Sequence, residues 1–240
     1  MIALLRYQSA ILLRSHRWIF PVIAYGLLIA VGAAGSTSLA EDLGWSAAML
    51  VPIVAFLTRA MLTAEPDAAR ACVAAATGPV RAQLAALLTA LGFGAVLGLA
   101  SVCVDVLTSE AASRQPLGGL PAKITAAAHH PGIVVAGLFT ALVCLLVGSA
   151  VGALCNPPLL RHPGAAMLAT LAAAVFGLAS DVSPAGAALR HTGQSMASQP
   201  LAAVWPGAAS VVAAACLLAV TWAASTFAAA HRETRSHSDT

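Results

Sequence analysis

Charge is what this sequence has least of. Asp, Glu, Lys and Arg make up only 9% of its 240 residues, against roughly 25% in soluble domains. The chain is 60% hydrophobic, with a mean hydropathy of +0.88. A soluble fold could not cover so apolar a core with so few charges, and lipid is the solvent that makes the composition sensible. Aromatic residues are also scarce, at 5%. The apolar content is mostly Ala, Leu and Val, which suits closely packed membrane helices with small side chains at their contacts. No basic cluster interleaved with aromatics exists, which argues against a nucleic-acid partner. The five cysteines, Cys72, Cys103, Cys144, Cys155 and Cys216, form no Cys-x-x-Cys pair and read as small hydrophobes. Gly-x-Ser-x-Gly, His-Glu-x-x-His and the Gly-x-x-x-x-Gly-Lys-Ser/Thr phosphate loop are all missing. The chain is therefore not read as an enzyme, and any ATP that drives it must be bound by another polypeptide.

What is present is a succession of apolar runs. Residues 1–17 read as a basic, amphipathic interfacial helix in which Leu4, Leu5, Ile11 and Leu12 can face lipid while Arg6, Ser9 and Arg17 stay wet. The first span is expected from Trp18 to Ser36. Ser38-Leu39-Ala40 looks faintly like a signal-peptidase site, but the run is long enough to span and is read as retained. A short polar loop with Glu41 and Asp42 precedes the second span, Trp45 to Thr63, where Pro52 predicts a kink. The third span is about Ala82 to Val106, with Gly94-x-x-x-Gly98. The fourth is Pro131 to Leu154, with Gly148-x-x-x-Gly152. The fifth is Ala165 to Ser180, and the sixth about Leu201 to Ala230, broken near Pro206-Gly207. The expected fold is an all-α polytopic membrane protein with an N-terminal interfacial helix at 1–17, a six-helix transmembrane domain at 18–230 and a polar tail at 231–240.

Between the second and third spans lies the most informative loop, Glu65-Pro66-Asp67-Ala68-Ala69-Arg70 through Gly78-Pro79. Pro66 suits the first position of a helix, and Glu65 and Asp67 suit the positive end of its dipole. Alanine favours helix, and Gly78-Pro79 stops it. The pattern encodes a short separate helix, either a plain connector or a coupling helix that docks a cytoplasmic partner through Glu65, Asp67 and Arg70. Arg6, Arg14, Arg17, Arg59, Arg70, Arg81, Arg161, Arg232 and Arg235 fall on one side of the six spans, and only Arg114, Lys123 and Arg190 on the other. The excess belongs inside, so both termini and the 65–81 loop are expected to be cytoplasmic.

Three further features have two readings each. Arg59, about a turn before the end of the second span, either marks a functional site or snorkels to the interface. Asp105, near the outer end of the third, either faces a cavity or sits among headgroups. His129-His130, with His191 on the same side, could hold a metal, but no carboxylate or Cys stands at ligand spacing, so no metal site is expected.

The chain resembles the permease subunit of a type-2 ABC exporter, of the small actinobacterial six-helix kind. The likeness is carried by Met1-Ile2-Ala3-Leu4-Leu5-Arg6-Tyr7, Leu12-Leu13-Arg14-Ser15-His16-Arg17-Trp18, Pro21, the run Trp45-Ser46 to Leu57-Thr58-Arg59, and Glu65-Pro66-Asp67-Ala68-Ala69-Arg70 to Gly78-Pro79-Val80-Arg81. It covers the whole chain in topology and the first hundred or so residues in sequence. The resemblance implies two permease halves, from a second copy or a similar permease, over two cytoplasmic ABC ATPase subunits that bind ATP and Mg. It implies that the short helix opening with Glu65, Pro66, Asp67 and Arg70 is the ATPase-coupling element. It also implies short re-entrant helices before the last span, for which Asp181 to Pro200 is the candidate. No cofactor is expected in this chain itself. The near absence of charge in the spans points to export of an apolar or amphipathic compound or peptide across the cell membrane. The alternative is a non-transport membrane scaffold, sensor or immunity subunit, which equally needs spans and no chemistry.

Overall fold

The structure is a computed structural model, and it describes residues 2–16, 18–35, 39–63, 67–108, 131–155, 163–179, 183–194 and 209–223. Every regular element among them is helical. The elements are α1 (Ile2–Ser15), α2 (Ile19–Gly35), α3 (Leu39–Leu62), α4 (Asp67–Thr77), α5 (Pro79–Thr108), α6 (Pro131–Leu154), α7 (Pro163–Ala179), α8 (Pro184–Gln194) and α9 (Ala209–Ala223). Four of them, α5 to α8, open on proline. Its fixed φ and missing N–H are harmless at the first helical position.

Helices α3, α5 and α6 have the length and apolarity to cross a membrane. At 1.5 Å per residue they extend about 36, 45 and 36 Å, against a hydrocarbon core of about 30 Å. The number of candidate spans rises to five if the bent pairs α1–α2 (76°) and α7–α8 (45°) each count as one, and α9 is a shorter apolar helix. The outside of the bundle is apolar: Phe20, Ile23, Leu27 and Val31 form an exposed stripe on α2, and Leu168, Leu171, Val175 and Phe176 form another on α7. The polar side chains turn inward. Thr89, Thr140 and Ser149 donate to carbonyls four residues back at 2.8, 2.9 and 2.6 Å, as hydroxyls do where water cannot serve them. Apolar exterior and self-satisfied hydroxyls fit a membrane-spanning protein.

Helix α3 is the hub, packed on α2, α5, α6, α7 and α8. It begins six residues before the expected second span, at Leu39, so the anticipated Glu41–Asp42 loop is instead its first turn. Carboxylates there favour the helix N-terminus, which is why a polar pair did not break the run. Its neighbours' directions follow from facing residues. Val54 meets Gly94 and Leu50 meets Gly98, so α5 runs antiparallel to α3. Leu43 meets Gly137, Val51 meets Gly148 and Ala55 meets Gly152, so α6 runs parallel to it.

Helix α1 departs from the expected interfacial placement at one residue. Leu12, expected toward lipid, is buried with Leu57, Met61 and Ala90, because α1 folds back onto α5. The corner that allows this is made by His16, at φ 54°, whose carbonyl accepts from the Ile19 N–H at 3.2 Å. The polar stretch after the fifth run, the candidate for re-entrant helices, holds one short helix among its described residues. Ser183 accepts at its Oγ from the Ala185 N–H at 3.3 Å, starting α8, whose Ala185 and Ala188 are buried in the main core. Small side chains, rather than apolar length, let this helix in.

Candidate functional site

Two places hold the residues singled out by sequence. The first is α4. Asp67 is its first residue and Arg70 lies in its first turn, while Glu65 and Pro66 lie outside the described residues, as do Glu110, Arg114, Lys123, His129, His130 and the 231–240 tail. The helix ends where Thr77 Oγ1 donates back to the Val73 carbonyl at 2.8 Å and Gly78 takes φ +88°. That left-handed conformation suits glycine. The Gly78 carbonyl then accepts from the Ala82 N–H at 3.2 Å, so α5 starts at once and α4 packs against it. The result is an 11-residue helix with a sharp joint to the longest helix of the bundle.

The second place was only half visible. Asp105 is 2% exposed and packed inside the bundle. Ser46 Oγ of α3 donates to Asp105 Oδ2 of α5 at 2.6 Å. The Tyr25 hydroxyl of α2 donates to the Ser46 carbonyl at 3.0 Å, and the buried Ser101, one turn from Asp105, gives its own hydroxyl proton to the Gly98 carbonyl at 2.8 Å. Asp42, 6% exposed and one turn from Ser46, is close enough to act on Asp105 electrostatically. One end of the α2–α3–α5 contact thus buries three hydroxyls and two carboxyls, and the Tyr25–Ser46 and Ser46–Asp105 hydrogen bonds tie the three helices together there. Leu39, Leu43 and Val102 close it from the side. Nothing in a one-residue reading of Tyr25, Ser46 or Ser101 signals this. The usable sign is spacing: Gly94, Gly98, Ser101 and Asp105 fall on one face of α5 at helical intervals.

Arg59 lies toward the other end of α3 and is 8% exposed. Its burial favours a place inside the bundle over snorkelling. Thr58 beside it is fully buried and packs where α6 approaches at Gly152. Among the described residues no group of three or more His, Cys, Asp or Glu could hold a metal ion. What the buried network can do is hold three helices together by bonds that water can replace.

No family model, no curated protein and no solved structure matches the chain.

Proposed function

We propose that the chain is the permease subunit of an ATP-driven ABC transporter that exports an apolar or amphipathic compound or peptide. In this reading six spans cross the cell membrane, α1 lies at the cytoplasmic interface and both termini are cytoplasmic. ATP and Mg are bound by separate ATPase subunits, and a second copy or a similar permease completes the pathway. The coupling element is α4, with Glu65, Pro66, Asp67 and Arg70 at the docking end.

The observation that carries the reading is α4 itself: a short helix with its own axis, set between two helices of spanning length and joined to the second by the left-handed Gly78. A rigid piece packed on α5 can pass a partner's movement into the bundle. Transport of this kind needs no reacting side chain, only a bias between two conformations. The Arg excess on the α4 side supports the cytoplasmic assignment.

The test is co-purification of the ATPase with an Asp67→Arg, Arg70→Glu double variant, checked for normal membrane insertion. Desolvated interface charges cost roughly 2–5 kcal/mol when a partner is lost, so ATPase capture is expected to fall at least tenfold. A Glu110→Arg, Arg114→Glu variant on the opposite side is expected to bind normally. Unchanged capture and coupled turnover in the Asp67/Arg70 variant would remove α4 from the mechanism. Robust ATP hydrolysis by the pure chain would sink the reading as a whole.

A further inference from the structure

The two long contacts of α3 are built from different materials. Against α6, glycine brings backbone onto backbone: a Cβ at Gly148 would stand 2.6 Å from the Val51 carbonyl oxygen, and one at Gly152 would collide with that of Ala55. Such a contact is dry and closely fitted. Once parted it would expose peptide, small apolar surface and a single hydroxyl, that of Thr58 beside Gly152, and no carboxyl. Against α5, the same helix changes character along its length. At the Arg59 end Leu57 and Met61 meet Ala90, with Leu12 of α1 on top. In the middle Val54 and Leu50 meet Gly94 and Gly98. At the other end Ser46 meets Asp105, with Tyr25, Ser101 and Asp42 around them.

A leucine pair at that last position would hold α5 to α3 as firmly, since hydrogen bonds between membrane helices contribute on average only about 0.6 kcal/mol each. Carboxyl groups in a dry seam are an expensive choice that entering water relieves. Every group in the network can exchange its protein partner for water, so this end of the seam opens at low cost, while the apolar end stays shut.

We infer that the Tyr25–Ser46–Asp105 network is a latch on a hinged seam: α3 and α6 move as one body, and α5, held by α1 at the Arg59 end, swings away from α3 at the Asp105 end and admits water between them. The latch does not depend on what drives it, and its test is separate from ATPase docking.

Two reporters in an otherwise cysteine-free full chain, in lipid nanodiscs, read the motion: Val102→Cys, buried beside the latch on α5, and Ala150→Cys, buried on α6. A small hydrophilic thiol reagent reaches both faces of a nanodisc, so membrane orientation does not enter. Ser46→Ala, which breaks the bond and leaves the Asp105 carboxyl unpaired in the seam, is expected to speed labelling of V102C about three- to tenfold. Asp105→Asn, which still accepts from Ser46, is expected to leave the rate near the parent value. Tyr25→Phe breaks the neighbouring bond to the Ser46 carbonyl, is expected to speed labelling about threefold, and carries the test if Ser46→Ala does not fold. A150C is expected to stay unreactive throughout. An unchanged V102C rate in both bond-breaking variants, or equal acceleration at V102C and A150C, overturns the latch.

Discussion

The contact of α3 with α6 and the contact of α3 with α5 use the same helix and similar glycine spacing, yet they are different joints. On the α6 side Gly148 and Gly152 sit against backbone, while Gly137 nearer the Asp105 end meets the Leu43 side chain. On the α5 side the glycines sit against side chains: a Cβ at Gly94 would meet Val54 Cγ2 of α3 at 3.1 Å and, closer still, Leu145 Cδ1 of α6, while one at Gly98 would meet only Leu50 Cδ2 of α3 at 3.3 Å. Backbone cannot step aside, whereas a leucine tip can. The Gly-x-x-x-Gly spacing therefore marks close approach in both cases but rigidity in only one. The neighbour, not the motif, decides which.

Substitutions that break the comparison rank by that neighbour. The largest effect is expected from Gly152→Val, which drives a branched side chain into the Ala55 carbonyl and the Thr58 Cβ. Overpacking of a tight interior costs about 3 kcal/mol at the upper end of the usual range, read as a lowered thermal midpoint in detergent. Gly148→Ala follows at about 2 kcal/mol, because even one methyl meets the Val51 oxygen. Gly98→Ala is expected to cost at most about 1 kcal/mol, since the Leu50 tip of α3 can rotate. If Gly98→Ala proves as damaging as Gly148→Ala, the distinction between the two seams fails. Tyr25→Phe removes the donor to the Ser46 carbonyl and is expected to cost about 0.6 kcal/mol. Gly26→Ala, with nothing within 4 Å of the added Cβ, is expected to be neutral or to stabilise by up to about 1 kcal/mol through helix propensity. The same thermal measurement reads all five.

Much of the helical layout was legible from the chain. Apolar runs placed α5 and α6 within a few residues and the end of α3 within one, and Gly78-Pro79 marked the joint where Gly78 takes φ +88°. Prolines 131 and 163 stood at or near the expected starts. Three things were not legible. Glu41 and Asp42 looked like a loop because hydropathy averages ignore the dipole that makes a first turn hospitable to acids. Asp181 to Pro200 was offered as re-entrant helices only through the resemblance, and that Ala185 and Ala188 are the residues that bury was hidden by the polar residues around them. The network was hidden because its members come from three helices. Asp105 was singled out, but its partners Ser46 and Tyr25 are residues that commonly mean nothing alone, and pairing them needs the antiparallel register of α3 and α5. The proposed docking residues stand differently: Asp67 and Arg70 belong to α4, whereas a role for them depends on a partner.

The most direct measurement of the hinged-seam account is a pair of spin-label distance distributions at the Asp105 end, sharing one site on α3. One variant carries E41C with the native, exposed Cys103 of α5 as its only other cysteine; the second carries E41C with V135C on α6 and no other cysteine. In nanodiscs the α3–α6 pair is expected to give one narrow distance. The α3–α5 pair is expected to give a broad or two-peaked distribution that widens further with Ser46→Ala. A single narrow α3–α5 distance unaffected by Ser46→Ala, or an α3–α6 distribution equally broad, would contradict the account.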